Sequence, residues 1–266
     1  MNIAPNYNIQ KTQTCVLKKG KNVSNPLKIK RKDTFEKQNN VSFKGIEGVF
    51  KTCPALFPKV EVLPGVNDNF VTEITKQISK FPNVWLRKFK KENYDIILSP
   101  TLSEAYKSKN IFDPVVEFFE KENPKCTLGV TYDDYTSKNK NFFAFCDKPP
   151  YSKTYMNCIT NHELSHGVVN ISKLDKDPKT FEMLKKDIDE MIGKRKFDKM
   201  TPSERLMTSH YFFNKNAYMP VDEITADVYA WNLGEGFYGS GLALDVVNPD
   251  LMKNLFPNLA EHLKTI

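Results

Sequence analysis

Residues 161–166 read Asn-His-Glu-Leu-Ser-His, and His162 and His166, four positions apart, share one face when the segment is an α-helix. There the two imidazoles lie one turn apart and can converge on one tetrahedral cation. Glu163 lies about 100° round the axis from His162. From that position a carboxylate reaches a water beside the cation without becoming a ligand, which is what a hydrolytic general base requires. The chain has four histidines, and two of them fall in this stretch. A pair of ordinary helix-face histidines leaves that concentration unexplained.

The segments around the motif predict what it is built on. From Asp68, Phe70, Val71, Ile74, Ile78 and Phe81 recur at helical spacing until Pro82 ends the run. Trp85, Leu86 and Phe89 mark a short second helix, and YDIILSP (94–100) reads as a buried strand. FDPVVEFFEK (112–121) is helical, with Asp113 as N-cap and Pro114 in the first turn. CTLGVTYDD (126–134) and NFFAFCD (141–147) are β-rich runs separated by YTSKNK, a hairpin or a pair of neighbouring strands. The motif helix is expected over about Lys153 to Val169, with Tyr155, Ile159, His162, His166 and Val169 as one stripe of its surface. Residues 175–209 are lysine-rich and helical in pattern, an insertion between the two halves of the site. A further helix spans about Val221 to Leu233 and ends at Gly234 and Gly236. After a Gly-rich loop (234–241), the stretch 250–266 supplies one or two closing helices.

A catalytic zinc keeps three protein ligands and one open position, so one more donor is required. An extended H-E-x-x-H-x-x-G-x-x-H site would need Gly and His where Val169 and Ser172 stand. The best third ligand is Glu223, 57 positions after His166, on a helix where Asp227 follows four residues later on the same face. Asp227 is then placed to accept from the far ring nitrogen of a ligand histidine, fixing its tautomer. Asp222 and His210 are the substitutes. Asp222 points about 100° away from Glu223, and His210 lies in an aromatic stretch, HYFFNKNAY.

HELSH followed by E-I-T-A-D resembles the gluzincin metallopeptidases, in particular compact E-x-x-A-D forms and the lethal factor-like catalytic domain, over roughly residues 65–266. The resemblance implies an α+β, zincin-like fold: a small mixed sheet packed on the H-E-x-x-H helix and a glutamate helix, with further helices C-terminal. It implies one zinc ion per chain on His162, His166 and Glu223, Glu163 as general base and Asp227 behind a ligand histidine. Domains of that kind use a tyrosine seven residues before the ligand glutamate to stabilise the oxyanion, and here Asn216 stands there. Tyr218 is the favoured replacement, with Tyr211 and His210 as alternatives.

These readings converge on a zinc-dependent endopeptidase in which Glu163 takes a proton from the attacking water and returns it to the leaving amine. The substrate strand is expected to pair with a sheet edge near 141–147. The competing reading is a catalytically silent, zinc-stabilised protein that acts by binding through a basic arm, and the intact Glu163 argues against it.

Charge placement defines that arm. Residues 1–45 hold ten Lys/Arg against Asp33 and Glu36, while the remaining 29 basic and 30 acidic residues nearly balance. Such a leader, poor in large apolar residues, is expected to be disordered, with the metallopeptidase domain over 46–266. Phe43 to Pro64, with prolines at 54, 58 and 64, reads as an extended lead-in draped onto the domain. No RNA-binding signature accompanies the charge, so no specific nucleic-acid partner is expected. Cys15, Cys53, Cys126, Cys146 and Cys158 form an odd set without C-x-x-C spacing, which points to neither a disulfide framework nor a thiolate zinc site. No stretch approaches the roughly 18 uninterrupted apolar residues of a membrane helix, and the start lacks a signal-peptide core. The expectation is a monomer acting on protein or peptide substrates, cytoplasmic or exported without a classical signal.

Overall fold

Two apolar runs, Asp95–Ser99 and Phe142–Cys146, form the centre of a four-stranded sheet. The computed structural model describes residues 57–122, 129–133, 141–147, 153–194, 196–202, 205, 221–233 and 251–266. The leader 1–45, the connection 135–140 and the Gly-rich loop 234–241 lie outside the described residues.

The strands are β1 (Val60–Val62), β2 (Asp95–Ser99), β3 (Gly129–Tyr132) and β4 (Phe142–Cys146), in the spatial order β1-β2-β4-β3. β1/β2 and β2/β4 are parallel and β3/β4 antiparallel, with Ala144 opposite Ile97 on one side and Val130 on the other. Two expectations change. The lead-in contributes β1, because Val60, Glu61 and Val62 pair in register with Ile96, Ile97 and Leu98 instead of only covering the surface. The strand at 141–147 is not a sheet edge, because both of its ladder sides are taken, by β2 and by β3.

β2 and β4 are buried on both faces, which is why they read as continuous apolar runs. Ile96, Leu98, Phe143 and Phe145 face the larger core. Ile97, Phe142, Ala144 and Cys146, with Val130, face a smaller one shared with Leu102, Ala105, Tyr106 and Val116. That second face is covered by α3 (Leu102–Ser108) and α4 (Pro114–Glu122). The expected elements include no helix at α3, although its start carries a T-x-x-E signature. The Thr101 hydroxyl accepts from the Glu104 N–H at 3.1 Å, and Glu120 of α4 accepts from the Leu102 N–H at 2.6 Å.

The remaining helices build the larger core: α1 (Asp68–Ile78), α2 (Asn83–Lys91), α5 (Lys153–Ser172), α6 (Pro178–Gly193), α7 (Val221–Asn232), α8 (Leu251–Leu255) and α9 (Pro257–Leu263). The fold is mixed α+β, mostly helical, around a small mixed sheet. α5 is enclosed by α1, α7 and the sheet. Every residue from Cys158 to Val169 is buried, so it is a central helix and not one with a single apolar stripe. Gly167 makes this possible: a Cβ there would sit 2.5 Å from Phe143 Cζ and 2.8 Å from the Phe89 ring. Among the described residues no helix is long and apolar enough to cross a membrane.

Candidate metal centre

α5 and α7 pack side by side, which brings the motif histidines to the first turn of α7, where Glu223 stands. His162 Nε2 lies 3.1 Å from His166 Nε2, and each lies 3.4 Å from Glu223 Oε2. All three side chains are buried, and their donor atoms fall within 4.8 Å of one another. This is a buried group able to bind a metal ion. Four tetrahedral ligands at zinc distances of about 2.0–2.1 Å stand about 3.3 Å apart, so the observed triangle fits such an ion. Glu223 Oε2 is buried without a hydrogen-bond donor. At 3.4 Å the imidazole nitrogens offer it charge attraction and not an aligned bond. Such an oxygen is costly to bury unless a cation or proton completes its surroundings.

Asp227 completes the first histidine. Its Oδ1 lies 2.6 Å from His162 Nδ1, with both side chains fully buried. With Nδ1–H donating to that carboxylate, the lone pair of His162 Nε2 faces the centre of the triangle. Burial alone would lower the pKa of His162, but Asp227, with Glu223 and Glu163, outweighs it and raises the value well above that of a free histidine. His166 is likewise pulled down by burial and raised on balance, chiefly by Glu223. Burial pushes Glu223 up, yet the imidazoles of His166 and His162 hold its carboxyl at about 2. The imidazoles and carboxylates of the cluster thus set one another's protonation.

Glu163 sits beside this triangle, 2 % exposed. Burial raises its pKa above the ordinary carboxylate value, against the lowering effect of the two histidines and of a hydrogen bond from Thr131. The Thr131 hydroxyl lies 2.9 Å from Glu163 Oε2 and 2.8 Å from the Glu163 carbonyl oxygen. Gly129, two residues earlier on β3, gives Glu163 its room, since a Cβ there would approach Glu163 Cγ to 2.7 Å. Neither Gly129 nor Thr131 was singled out from the sequence. The only available signal was a small residue and a hydroxyl at alternate positions of a strand preceding the motif helix.

The structure brings together His162, His166, Glu223, Glu163 and Asp227. Asp222 is half-buried at the start of α7 and outside the triangle of donors. His210, Tyr211, Asn216 and Tyr218 lie outside the described residues. No family model matches the sequence, and no curated protein matches it.

Proposed function

We propose that this chain is a zinc-dependent endopeptidase of the gluzincin kind, built on a zincin-like, lethal factor-like domain. The observation that carries the reading is the buried triangle of two imidazole nitrogens and one carboxylate oxygen, at ligand-to-ligand distances suited to zinc, with a further carboxylate beside it. Two imidazoles and a carboxylate form a borderline donor set that suits zinc better than the all-oxygen cages of calcium or magnesium.

Zinc held by His162, His166 and Glu223 would supply Lewis acidity, polarising a carbonyl and making water a better nucleophile near neutral pH. The chain's own groups do the rest. Glu163, made more basic by burial, takes a proton from the attacking water and returns it to the departing amine. Asp227 keeps His162 in one tautomer and one orientation. The substrate is a peptide or protein segment laid along β3, the outer strand nearest α5; among the described residues no strand pairs with its outer side.

Two measurements test this on the full chain. Plasma mass spectrometry of the purified protein is expected to give one zinc per chain, and a peptide library is expected to reveal cleavage. Glu163→Gln should keep the zinc and lose turnover by roughly 10²–10⁴-fold. Zinc without cleavage of any peptide would favour the silent binding protein, and absence of zinc from metal-replete preparations would overturn both readings.

A further inference from the structure

Thr131 and Gly129 do something that the strand they belong to does not need. Alternate residues of a strand face the same side, so the two point together at α5 while Val130 between them enters the smaller core on the opposite face. Gly129 is the position where any side chain would collide with Glu163, at 2.7 Å from Cγ and 3.2 Å from both Oε1 and Ile159 Cγ1. Thr131 is buried, 8 % exposed, and its hydroxyl has both polar ends of Glu163 within reach, the carboxylate at 2.9 Å and the main-chain carbonyl at 2.8 Å. A hydroxyl carries one hydrogen, so it donates to these two acceptors in turn. A helical carbonyl already has its own N–H partner. The carboxylate gains most from the arrangement, because a bond from a neutral donor to a charged acceptor is stronger than one between neutral groups.

We propose that Gly129 and Thr131 form a socket on β3 that sets the position of the Glu163 carboxylate, with Thr131 as a positioning residue for the general base. Gly129 leaves the space in which the side chain lies, and the Thr131 hydroxyl pins one carboxylate oxygen to the strand. The other oxygen, Oε1, lies in the room Gly129 leaves, 3.2 Å from where a Cβ would stand. No proton leaves Thr131 at any point; it orients the group that moves one. The inference rests on the hydrolytic reading above, and it adds that the outer strand itself aligns the base. A strand that aligns the base and also receives the substrate would couple peptide docking to the geometry of proton transfer.

Thr131→Val, which removes the hydroxyl at nearly constant shape, and Thr131→Ser, which retains it, test the proposal. In the full-length, zinc-replete protein Thr131→Val should hold one zinc and lower kcat roughly 10–100-fold, the usual cost of losing such a partner. KM should stay within about threefold, since the missing bond serves the transition state more than the ground state. Thr131→Ser should recover kcat to within about threefold of the parent, as the shared hydroxyl requires. Crystal structures of the parent and of Thr131→Val supply a readout independent of turnover: the Glu163 carboxylate should leave its place beside β3 in the valine variant. Unchanged kcat in Thr131→Val, a serine variant as impaired as the valine one, or an unmoved carboxylate would each overturn the socket. If the parent holds zinc but cleaves nothing, the hydrolytic reading fails by itself. The position of Glu163 in the two crystal structures then decides the socket alone, displacement supporting it and an unmoved carboxylate overturning it.

Discussion

α5 and α6 are long helices of the same domain, 20 and 16 residues, yet they treat polar groups in opposite ways. α6 buries Thr180, Leu184, Asp187 and Met191 along one stripe and leaves Glu182, Lys185, Asp189 and Lys194 to solvent or half-exposed pairs. α5 is enclosed from Cys158 to Val169 and buries Thr160, Asn161, His162, Glu163, Ser165 and His166. Most of this polarity is settled locally. Thr160 Oγ1 donates to the Met156 carbonyl, Ser165 Oγ to the Asn161 carbonyl, and Asn161 Oδ1 accepts from Gln77 Nε2. Glu163 is partnered by Thr131 and His162 Nδ1 by Asp227. Three further atoms turn toward one another where α5 meets α7: His162 Nε2, His166 Nε2 and Glu223 Oε2. These three buried atoms form the group able to bind a metal ion.

One substitution made on both helices should separate them most strongly. Gly167→Ala drives a methyl into the Phe143 and Phe89 rings, both in the larger core, and should cost about 3 kcal/mol, the upper end of ordinary overpacking. Gly193→Ala at the end of α6 meets nothing within 4 Å and should stabilise by about 0.4–1 kcal/mol, by restricting the unfolded chain. Urea unfolding midpoints of the two variants against the parent provide the check. A neutral Gly167→Ala would mean that α5 does not lie as close to the sheet as described.

The contrast also explains what could be read from the sequence. The 162/166 spacing and the 223/227 spacing are local, and helix geometry says which side chains share a face, so each pair is legible in the sequence, while the choice of Glu223 over Asp222 rests on the packing of α5 against α7. The Asp68–Phe81 pattern and the Asp113-Pro114 start likewise carry their own periodicity and cap. Sheet order is different, because nothing within 141–147 says that both its sides will be paired, by Asp95–Ser99 on one and Gly129–Tyr132 on the other. The even burial of α5 was hidden too, since its polar residues resemble those of a surface helix until their partners are known. Thr131 is the extreme case: its partner lies 32 residues away across a strand–helix contact, and no spacing rule links them. α3 is hard to read for a simpler reason: its Thr101/Glu104 start is present, but seven residues make little periodicity.

A smaller effect is expected at Asp227, behind the candidate metal-binding group. Asp227→Ala leaves the Nδ1 of a fully buried histidine without its acceptor. Zinc affinity should then fall roughly 10–100-fold, or about 1.4–2.8 kcal/mol. Competition titration against a chromophoric chelator measures it. The same titration carries a pH test in the parent. His162 and His166 hold their protons to higher pH than free histidines in the metal-free protein, so zinc must displace those protons. Apparent affinity should therefore rise with pH through the range in which the histidines titrate, and zinc uptake should acidify a weakly buffered solution. Flat affinity across that range would separate the imidazoles from the metal.

The smallest effects belong to α6, and they distinguish its one buried carboxylate from its exposed ones. Asp187 is fully buried and accepts from the backbone N–H groups of Asn258 and Leu259 at 3.0 and 2.9 Å and from Asn258 Nδ2 at 2.6 Å. It caps α9 from outside, in place of Phe256, which has no side chain able to do so. Both of its oxygens have hydrogen-bond donors, unlike Glu223 Oε2. Asp187→Ala should cost about 1–2 kcal/mol, as loss of an N-cap does, and leave zinc content unchanged. Lys185→Ala removes an exposed pair with Asp189 and should cost about 0.3–0.5 kcal/mol. A larger penalty for the lysine than for the aspartate in thermal unfolding would mean that α6 is held by its surface charges and not by the stripe it buries.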